Sequence, residues 1–489
     1  MSQEAYTPGV LSVGIEPHLF VVFGGTGDLA RQMLLPALFQ LLRRREFHDS
    51  VELLAVATRP MSDAEYRKMA VEALAEAGVP DCEEWAERHL RYQSIKDGFE
   101  ALRERIEEIE AAEGLDGTRA FYLAIPPAVF DDTVDGLGKS GAFSGGGWTR
   151  VVVEKPFGFD LDSAHHLNAL LHDWLDESQI FRIDHYLAKE TVQNLLALRF
   201  ANPLFESSWS RDRIDSVQIT VAEDFGIGSR AGYFDKAGIV RDIIQNHALQ
   251  VLTLVAMEPP VKATSDAIRD EKVKVLRAMY PVDPTAAVRG QYGEGEVGGE
   301  KAAAYLEEEG VGDGSTTETY AAFKFEIDNW RWKGVPFYVR TGKRLKRRVT
   351  QVSVVFKEPP VFLFSIDGPC SMHPNVFDIR LQPEEGFALS FEMKVPGEGY
   401  DLRTQRLRFD YDEEFGELPG AYFTLLADVM IGDQTLFVRS DEVEEAWRIV
   451  APVLDPGTTP DLYEAGSWGP ARAEELLGRS GRQWQTPDF

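Results

Sequence analysis

The sequence is poor in cysteine and has no long apolar run. Only two cysteines, Cys82 and Cys370, occur in 489 residues, which argues against a disulfide framework or a cysteine-ligated metal and fits a reducing cytoplasm. No apolar stretch approaches the length of a membrane-spanning helix. The first twenty residues lack the basic start and apolar core of a secretory signal. We therefore expect a cytoplasmic protein with no membrane partner.

Basic residues are too few to balance the acidic ones, and the formal net charge is −29. This charge argues against nucleic acid as a partner, because a negative surface repels it. A phosphate-bearing ligand would need a local positive island. Lys343–Arg348 holds five basic residues in six, although such runs are more often solvated turns than sites.

The order of elements predicts two domains. Apolar and charged contents of 44% and 27% are those of a globular protein. Between residues 19 and 183 short strands alternate with helices, which is typical of a parallel sheet covered on both faces. The predicted strands are Leu19–Phe23, Val51–Ala57, Ala120–Ala124, Thr149–Glu154 and Gln179–Ile183. Helices are predicted over Asp28–Arg45 and from Ser62, where Glu65 completes a capping box.

Beyond residue 200 the strand candidates lack regular intervening helices. The predicted strands are Ser216–Val221, Ala321–Ile327, Phe337–Thr341, Gln351–Phe356, Val376–Leu381 and Phe387–Lys394, the first with the alternation of a half-exposed strand. Helices are predicted over Gly238–Glu258 and Ser440–Leu454, and loops over Gly145–Gly147 and Gly290–Gly314. We expect an α/β Rossmann-like N-terminal domain over residues 1–190, followed over residues 191–489 by an α+β domain with a large, mainly antiparallel sheet.

The segment Gly24–Ala30 predicts a dinucleotide site. It follows the first strand and opens the first helix, and Gly25-x-Gly27-x-x-Ala30 fits the fingerprint for a bound pyrophosphate. The second strand ends before Thr58 and Arg59, where an NAD site usually offers a carboxylate. A hydroxyl and a guanidinium suit a 2′-phosphate instead, so we expect NADP, with dual use still open. The candidate coenzyme residues in these segments are Gly24, Gly25, Thr26, Gly27, Asp28, Leu29 and Arg59.

Two further patterns indicate a substrate site. Lys155 stands just past a predicted parallel strand, where such sheets bind ligands, although Glu-Lys-Pro also fits a plain turn. The segment Asp184–Lys189 packs an acid, an imidazole, a phenol and an ammonium ahead of a helix predicted over Thr191–Phe200. The free N–H groups and the dipole at the start of that helix would suit a phosphate.

His247 falls on the apolar stripe of its predicted helix, with Val240, Ile244, Val251 and Leu254 at helical spacing. A histidine in that position is more often a core residue than a catalytic one. The alternative is a base that faces a site from a rigid helix, and spacing alone does not decide between them.

The segment Arg182–Glu190 resembles the Arg-Ile-Asp-His-Tyr-Leu-Gly-Lys-Glu signature of the glucose-6-phosphate dehydrogenases, with Ala188 in place of glycine. The segments Gly24–Ala30 and Arg241–His247 also match this family. Further blocks follow in the family's order, so that the resemblance runs from about Phe20 to Pro470. One departure is Met33, where the family commonly has lysine.

The resemblance implies NADP-dependent oxidation of D-glucose 6-phosphate at C1, the first oxidative step of the pentose phosphate pathway. By resemblance His247 is the base, Asp184 orients it, and Lys155 lies between sugar and nicotinamide. Thr26 and Arg59 would hold the 2′-phosphate. The implied substrate residues are His185, Tyr186 and Lys189 for the phosphate, Glu223 and Asp242 for the hydroxyls, and Lys343 and Arg348 for further contacts. No metal is implied. Family members are typically homodimers or homotetramers built through the large sheet.

Two alternatives stay open at this stage. One is an oxidoreductase of another, unphosphorylated sugar, which activity on glucose against its 6-phosphate would reveal. The other is a non-catalytic NADP-binding regulator, which would bind without turnover. The presence of both Asp184 and His247 argues against the second.

Overall fold

The computed structural model describes residues 15–43, 51–361, 373–397, 400–416, 420–454 and 457–487. Cys370 and the end of the helix predicted to reach Arg45 lie outside these residues. The described chain forms two sheets, one in each half. No helix of the described chain is both long and apolar enough to cross a membrane.

The first sheet has seven strands. Its first six strands are β1 (His18–Phe23), β2 (Val51–Ala57), β3 (Leu90–Ser94), β4 (Arg119–Leu123), β5 (Thr149–Val153) and β6 (Ile180–Ile183). All six run parallel, in the spatial order β3-β2-β1-β4-β5-β6. This is the doubly wound order of dinucleotide-binding folds, whose switch point lies between β1 and β4. The predicted Rossmann-like domain is therefore confirmed.

Helices pack on both faces of this sheet. They are α1 (Leu35–Leu42), α2 (Asp63–Glu76), α3 (Glu83–His89), α4 (Phe99–Glu113), α5 (Phe130–Ser140) and α6 (Leu161–His172). The predicted capping box is confirmed, because Ser62 and Glu65 bond each other's backbone at the start of α2. The helix predicted from Asp28 begins there but runs as a π-helix over Ala30–Leu34 before α1.

The second sheet is large and mainly antiparallel, as expected. Its strands are β7 (Ile214–Ala222), β8 (Ala287–Val297), β9 (Glu300–Ala302), β10 (Tyr320–Glu326), β11 (Pro336–Gly342), β12 (Val349–Phe356), β13 (Val376–Gln382), β14 (Gly386–Lys394), β15 (Leu402–Asp410) and β17 (Asp461–Ala465). The parallel pairs among them are β7 with β11 and β8 with β17. A short strand from this half, β16 (Phe437–Val438), instead extends the first sheet beside β6.

The helices of the second half are α7 (Glu190–Phe200), α8 (Pro203–Glu206), α9 (Ala231–Ile239), α10 (Leu249–Ala256), α11 (Ser265–Ala278), α12 (Tyr411–Phe415), α13 (Ala421–Ile431), α14 (Ser440–Val450) and α15 (Arg472–Gly478). The π-helical segment Val240–Ala248 lies between α9 and α10 and contacts β7 and β11. The helix predicted over Gly238–Glu258 is therefore real from Val240 to Ala256, but its first half has a different pitch.

Two predictions for the second half are wrong. The strand at Ser216–Val221 is not half-exposed, because helices pack on one side of β7 and the C-terminal segment crosses the other, where Gln218 bonds the backbone of Gln483 and Gln485. The predicted loop Gly290–Gly314 contains most of β8 and all of β9. Its glycines allow close strand approach rather than a turn, since a Cβ on Gly295 would lie 2.2 Å from the carbonyl oxygen of Ala465 on β17.

Candidate active site

The buried pair Asp184–His247 joins the two halves of the chain. Asp184 follows β6 at the carboxyl edge of the first sheet, and His247 lies in the π-helical segment. Oδ1 of Asp184 lies 2.5 Å from Nδ1 of His247, although the residues are 63 apart in sequence. The predicted contact is confirmed. His247 is buried, as a core histidine would be, but it contacts a charged side chain at each ring nitrogen.

The π-helical segment explains how Asp242 and His247 face the same point. In an α-helix residues five apart are rotated by about 140°. In a π-helix hydrogen bonds link residues five apart, so the two side chains lie nearly one above the other. Nζ of Lys155 lies 3.2 Å from Oδ1 of Asp242 and 2.9 Å from Nε2 of His247. A third contact, of 3.2 Å, joins Nζ to the carbonyl oxygen of Asp242, so each ammonium hydrogen has an acceptor.

Lys343 and Glu223 complete the cluster from the second sheet. They follow the parallel neighbours β11 and β7, whose carboxyl ends meet at one edge. Nζ of Lys343 lies 2.5 Å from Oε2 of Glu223 and 3.8 Å from Oδ2 of Asp242. Carboxylates and ammonium groups therefore alternate in a series of contacts, from Glu223 through Lys343 and Asp242 to Lys155. Lys155 in turn contacts His247.

The predicted basic island has two parts. Lys343 is fully buried and neutralised by its carboxylate partners, so the interpretation of the whole run as a solvated turn is wrong for this residue. Lys346 and Arg348 are exposed. The island therefore contributes less free positive charge than the sequence suggests.

The pKa values of the central pair fit a base and an ionised partner. Burial lowers the pKa of His247 from its usual 6.5, although Asp184 opposes this effect. Burial alone would raise the pKa of Asp184, but the His247 ring and its hydrogen bond hold it well below its usual value. An ionised Asp184 can only accept, so Nδ1 of His247 carries the hydrogen and Nε2 keeps a lone pair.

Asp242 is held ionised by two cations. Burial would raise the pKa of its carboxyl, but Lys155 and Lys343 bring the pKa down to about 2. His185 also lies against the pair, with its ring centroid 4.6 Å from that of His247. Donor atoms of Asp184, His185 and His247 lie within 4.8 Å of one another, but Asp184 and His247 already bond each other.

His185, Tyr186 and Lys189 line the loop between β6 and α7. The Tyr186 ring stacks on His247 at 4.3 Å, and Nζ of Lys189 lies 4.7 Å from the centre of the Tyr186 ring. His185 has no hydrogen-bond partner in the described chain, so its ring is free to bind a ligand. Burial lowers the pKa of Lys189 to about 8, and Arg348 adds to this effect while Glu385 opposes it. The predicted phosphate residues thus lie together beside His247.

Gln382 is a residue of this subsite that the sequence did not predict. It ends β13, accepts a hydrogen bond from Lys189 and donates one of 3.2 Å to the hydroxyl of Tyr186. It is 193 residues from Lys189, and an amide at the end of a strand carries no recognisable signal. Pairing of β13 with β12, which brings Gln382 opposite Thr350, places it here.

Two N–H groups in the first turn of α7, where a phosphate site is predicted, already have acceptors within the chain. The N–H of Thr191 donates to Oε2 of Glu385 over 2.9 Å, and the N–H of Val192 donates to the carbonyl of Lys189. A carboxylate of the chain therefore occupies the positive end of the helix. The substitution Ala188 fits its position without strain, because its φ is not positive.

The glycine loop after β1 packs closely against β2 and the residue that follows β4. Gly24 has a φ of 74°, and a Cβ there would lie 2.0 Å from the carbonyl oxygen of Ala124. Gly25 packs against Ala55, where a Cβ would lie 2.7 Å from the methyl group. Gly27 and Asp28 are exposed, while Thr26 and Leu29 are half-buried. The backbone is thus open at the start of the first helix, where a pyrophosphate binds.

Arg59 and Thr58 are exposed at the end of β2. Two tyrosines absent from the sequence-based prediction fix this edge. Tyr92 donates to the carbonyl of Arg59, and Tyr66 donates to the carbonyl of Gly25 over 3.1 Å. Their rings stack at 5.3 Å. The Arg59 guanidinium itself has no hydrogen bond or ion pair with any residue of the described chain, and Met33 is 44% exposed.

A cavity of about 190 Å³ lies beside Lys155, at the carboxyl ends of β4 and β5. It also contacts Glu154, whose Oε1 accepts hydrogen bonds from Tyr122 and, over 3.2 Å, from Tyr422 of α13. The cavity therefore lies at the edge where parallel sheets of this kind bind ligands. A larger cavity, of about 860 Å³ and lined in part by Phe356, lies on the second sheet and contains none of this titratable cluster.

Known proteins share this architecture. Residues 21–194 match the family model of the glucose-6-phosphate dehydrogenase NAD binding domain, and residues 196–485 match that of the C-terminal domain. Glucose-6-phosphate 1-dehydrogenase 2 of Mycobacterium tuberculosis (strain ATCC 25618 / H37Rv) is 45% identical over 488 residues, which cover 96% of this chain and 95% of the relative. A solved glucose-6-phosphate 1-dehydrogenase from Mycobacterium avium is 40% identical, with a TM-score of 0.84 over 97% of this chain and all of that one. A glucose-6-phosphate dehydrogenase solved in complex with its substrate glucose-6-phosphate is 35% identical, with a TM-score of 0.88 and the same coverage.

Proposed function

The chain belongs to the glucose-6-phosphate dehydrogenase family, and we propose that its active site oxidises D-glucose 6-phosphate at C1 to 6-phospho-D-glucono-1,5-lactone with NADP as the oxidant. The observation that carries this proposal is the bonded series Asp184–His247–Lys155. It provides a neutral, oriented base whose free nitrogen faces a cation between the two halves of the chain.

The side chains of the site carry out the proton transfer of the reaction. Nε2 of His247 takes the proton of the C1 hydroxyl, and Asp184 stabilises the imidazolium that forms. The hydroxyl replaces the present contact between Lys155 and His247. Lys155 keeps its two contacts with Asp242 and stays beside the reacting carbon. In the substrate complex, Glu223 and Asp242 accept hydrogen bonds from sugar hydroxyls, and Lys343 holds both carboxylates in position.

The residues present fit the dinucleotide. The glycine loop packs close to Ala124 and Ala55, where a Cβ on Gly24 or Gly25 would clash, and its backbone would hold the pyrophosphate at the start of the first helix. Thr26 and Arg59 would bind the 2′-phosphate, and Lys155 would lie beside the nicotinamide. NADP, when bound, supplies a hydride acceptor. The unpaired guanidinium of Arg59 supports NADP rather than NAD, because a 2′-phosphate needs a local cation in a chain of net charge −29.

The phosphate of the sugar is bound by His185, Tyr186 and Lys189, with Arg348 adding positive potential. This distinguishes the substrate from an unphosphorylated sugar, which would leave the half-buried ammonium of Lys189 without a bound phosphate. We also propose a cytoplasmic homodimer or homotetramer, and a division of the chain near residue 190 into a coenzyme domain and a substrate and dimerisation domain.

A turnover assay with two sugars and two coenzymes tests the proposal. The full-length protein is mixed with glucose 6-phosphate or glucose, each with NADP or NAD, and reduced coenzyme is followed by absorbance. We expect the highest kcat/KM for glucose 6-phosphate with NADP. Higher kcat/KM on glucose would support the alternative sugar oxidoreductase, and binding without turnover would support a regulator.

A further inference from the structure

The turn between β13 and β14 bonds both the side chain of Lys189 and the backbone of the helix that follows it. Gln382, before the turn, accepts a hydrogen bond from Nζ of Lys189. Glu385, three residues later, accepts one of 2.9 Å from the N–H of Thr191. The backbone of Glu385 is itself held, because its carbonyl accepts a hydrogen bond of 2.9 Å from the N–H of Tyr411. One short turn therefore fixes the residue that ends the phosphate loop and the helix that follows.

The sequence around Lys189 cannot supply this support locally. Lys189 occupies the N-cap position of α7, and its side chain makes no capping hydrogen bond there. Ser, Thr, Asp and Asn are the residues that cap a helix with their own side chains. The carboxylate of Glu385 takes over that function from 194 residues away.

We propose that Glu385 is a positioning residue of the phosphate subsite, whose carboxylate caps the first turn of α7 and places a negative charge near the Lys189 ammonium. This inference rests on the proposed function, because it concerns how the same site binds the sugar phosphate. Glu385 does not touch the substrate. It acts through Lys189, which bonds the phosphate together with His185 and Tyr186.

Several groups act on the charge of Lys189. Burial is the largest effect and lowers its pKa to about 8. Glu385 is the strongest of the charges that raise the pKa, Asp184 is a weaker one, and Arg348 lowers it. Three other neighbours lie near the ammonium. His185 is close enough for the charge of Lys189 to lower its pKa further, although burial is the main cause of that lowering. Tyr186 contributes a ring face and Gln382 an amide oxygen. Without Glu385, Lys189 would lose its proton at a lower pH.

The sign of the pH effect follows directly. A phosphate dianion prefers the charged ammonium, so KM for glucose 6-phosphate should rise as pH increases through the pKa of Lys189 in the free enzyme. The rise should begin at a lower pH when Glu385 loses its charge. The phosphate itself is fully ionised above about pH 7, so it adds no change in that range.

The test compares Glu385→Gln with wild type in the full-length enzyme. The amide oxygen of glutamine can still accept the Thr191 hydrogen bond, so the substitution removes charge while it preserves the cap. KM and kcat for glucose 6-phosphate are measured from about pH 6.5 to about pH 9. We expect the rise in KM to move by about one pH unit to lower pH, with kcat within twofold of wild type. Glu385→Asp should restore most of the wild-type profile.

Glu384→Gln is the matched control. Glu384 lies in the same turn and carries the same charge, but its side chain is 65% exposed and pairs with Arg380 at 2.9 Å. Its KM profile should stay at the wild-type position. An equal shift in both variants, an increase in KM that is the same at every pH, or no change in Glu385→Gln would overturn the inference. An inactive wild type would instead refute the proposed function.

Discussion

His247 reaches Asp184 through Nδ1 and Lys155 through Nε2, at 2.5 and 2.9 Å. The two contacts have different effects on the His247 ring. The carboxylate fixes which nitrogen carries the hydrogen, and the ammonium marks the place of the substrate hydroxyl. We expect His247→Asn to retain binding of glucose 6-phosphate and to lower kcat by about 10²–10⁴, the usual contribution of a positioned base. Asp184→Asn should cost less, because the imidazole remains.

Steady-state kinetics and substrate binding by calorimetry check this prediction. Similar kcat values in His247→Asn and wild type would mean that His247 is a structural residue. Loss of substrate binding in the same variant would mean that the substitution damages the site as a whole.

The pH dependence of turnover should reveal the same base. His247 must be neutral to accept a proton, and burial lowers its pKa below 6.5. Activity should therefore persist below pH 6.5 and fall as pH decreases through the lowered pKa. Asp184 raises the pKa of His247, so the acid limb of Asp184→Asn should lie at still lower pH. Profiles of kcat/KM on glucose, which has no phosphate to titrate, give the measurement, and an acid limb above pH 6.5 would contradict it.

Substitutions in the phosphate loop should separate the two sugars. Lys189→Ala and His185→Ala each remove a partner of the phosphate, and a hydrogen bond to a charged group contributes about 1.5–3 kcal/mol. KM for glucose 6-phosphate should therefore rise by about tenfold or more, since 1.4 kcal/mol is a factor of ten. Activity on glucose should change little. Equal losses on both sugars would show that these residues support the fold rather than bind phosphate.

Sequence patterns predicted the first sheet well because each parallel strand is a short apolar run with its own boundary signals. The sequence predicts the second strand over Val51–Ala57, which are its observed bounds. The three-residue spacing of Ser62 and Glu65 predicts the capping box that the structure shows. The patterns failed where distant segments decide the environment. The polar and apolar alternation in β7 predicts one solvent-exposed face, but the C-terminal segment covers that face.

Sequence patterns likewise predict some of the site residues and miss others. The sequence located Lys155 and the Asp184–Lys189 loop because each follows a strand, and resemblance rather than spacing paired Asp184 with His247. Gln382 and Glu385 were missed because an amide or a carboxylate in a turn has no periodic signal. The π-helical pitch that aligns Asp242 with His247 was also missed, because apolar spacing over so few residues does not separate it from an α-helix.

Gly238 should be required for the entry into the π-helical segment. Its φ is 69°, and a Cβ would lie 2.3 Å from Oε1 of Glu318, which accepts the N–H of Val240. We expect Gly238→Ala to lower the free energy of unfolding by about 1–3 kcal/mol, the usual cost of a strained backbone position, and to lower kcat because His247 shifts. Denaturant unfolding and kinetics measure both.

Gly232→Ala is the control for this substitution. Gly232 lies in α9 with an ordinary φ, and a Cβ there would have no other atom within 4 Å. Alanine there should stabilise the protein by about 0.5–1 kcal/mol, because glycine costs entropy in a helix. Equal effects of the two substitutions would mean that Gly238 has no special role.

Arg59 should determine the preference for NADP. Its guanidinium is exposed at the end of β2 and unpaired in the described chain, while its carbonyl is fixed by Tyr92. The guanidinium can bind phosphate oxygens in pairs and stack on adenine. Arg59→Ala should weaken NADP by about tenfold or more, which corresponds to about 1.4 kcal/mol for one charged contact. NAD has no 2′-phosphate and loses only the stacking, so its KM should change much less.

Arg67→Ala is a suitable control, because that guanidinium bonds the carbonyl of Leu90 instead. Parallel losses of both coenzymes in Arg59→Ala would show that Arg59 does not recognise the 2′-phosphate, and a wild type that prefers NAD would refute the NADP assignment.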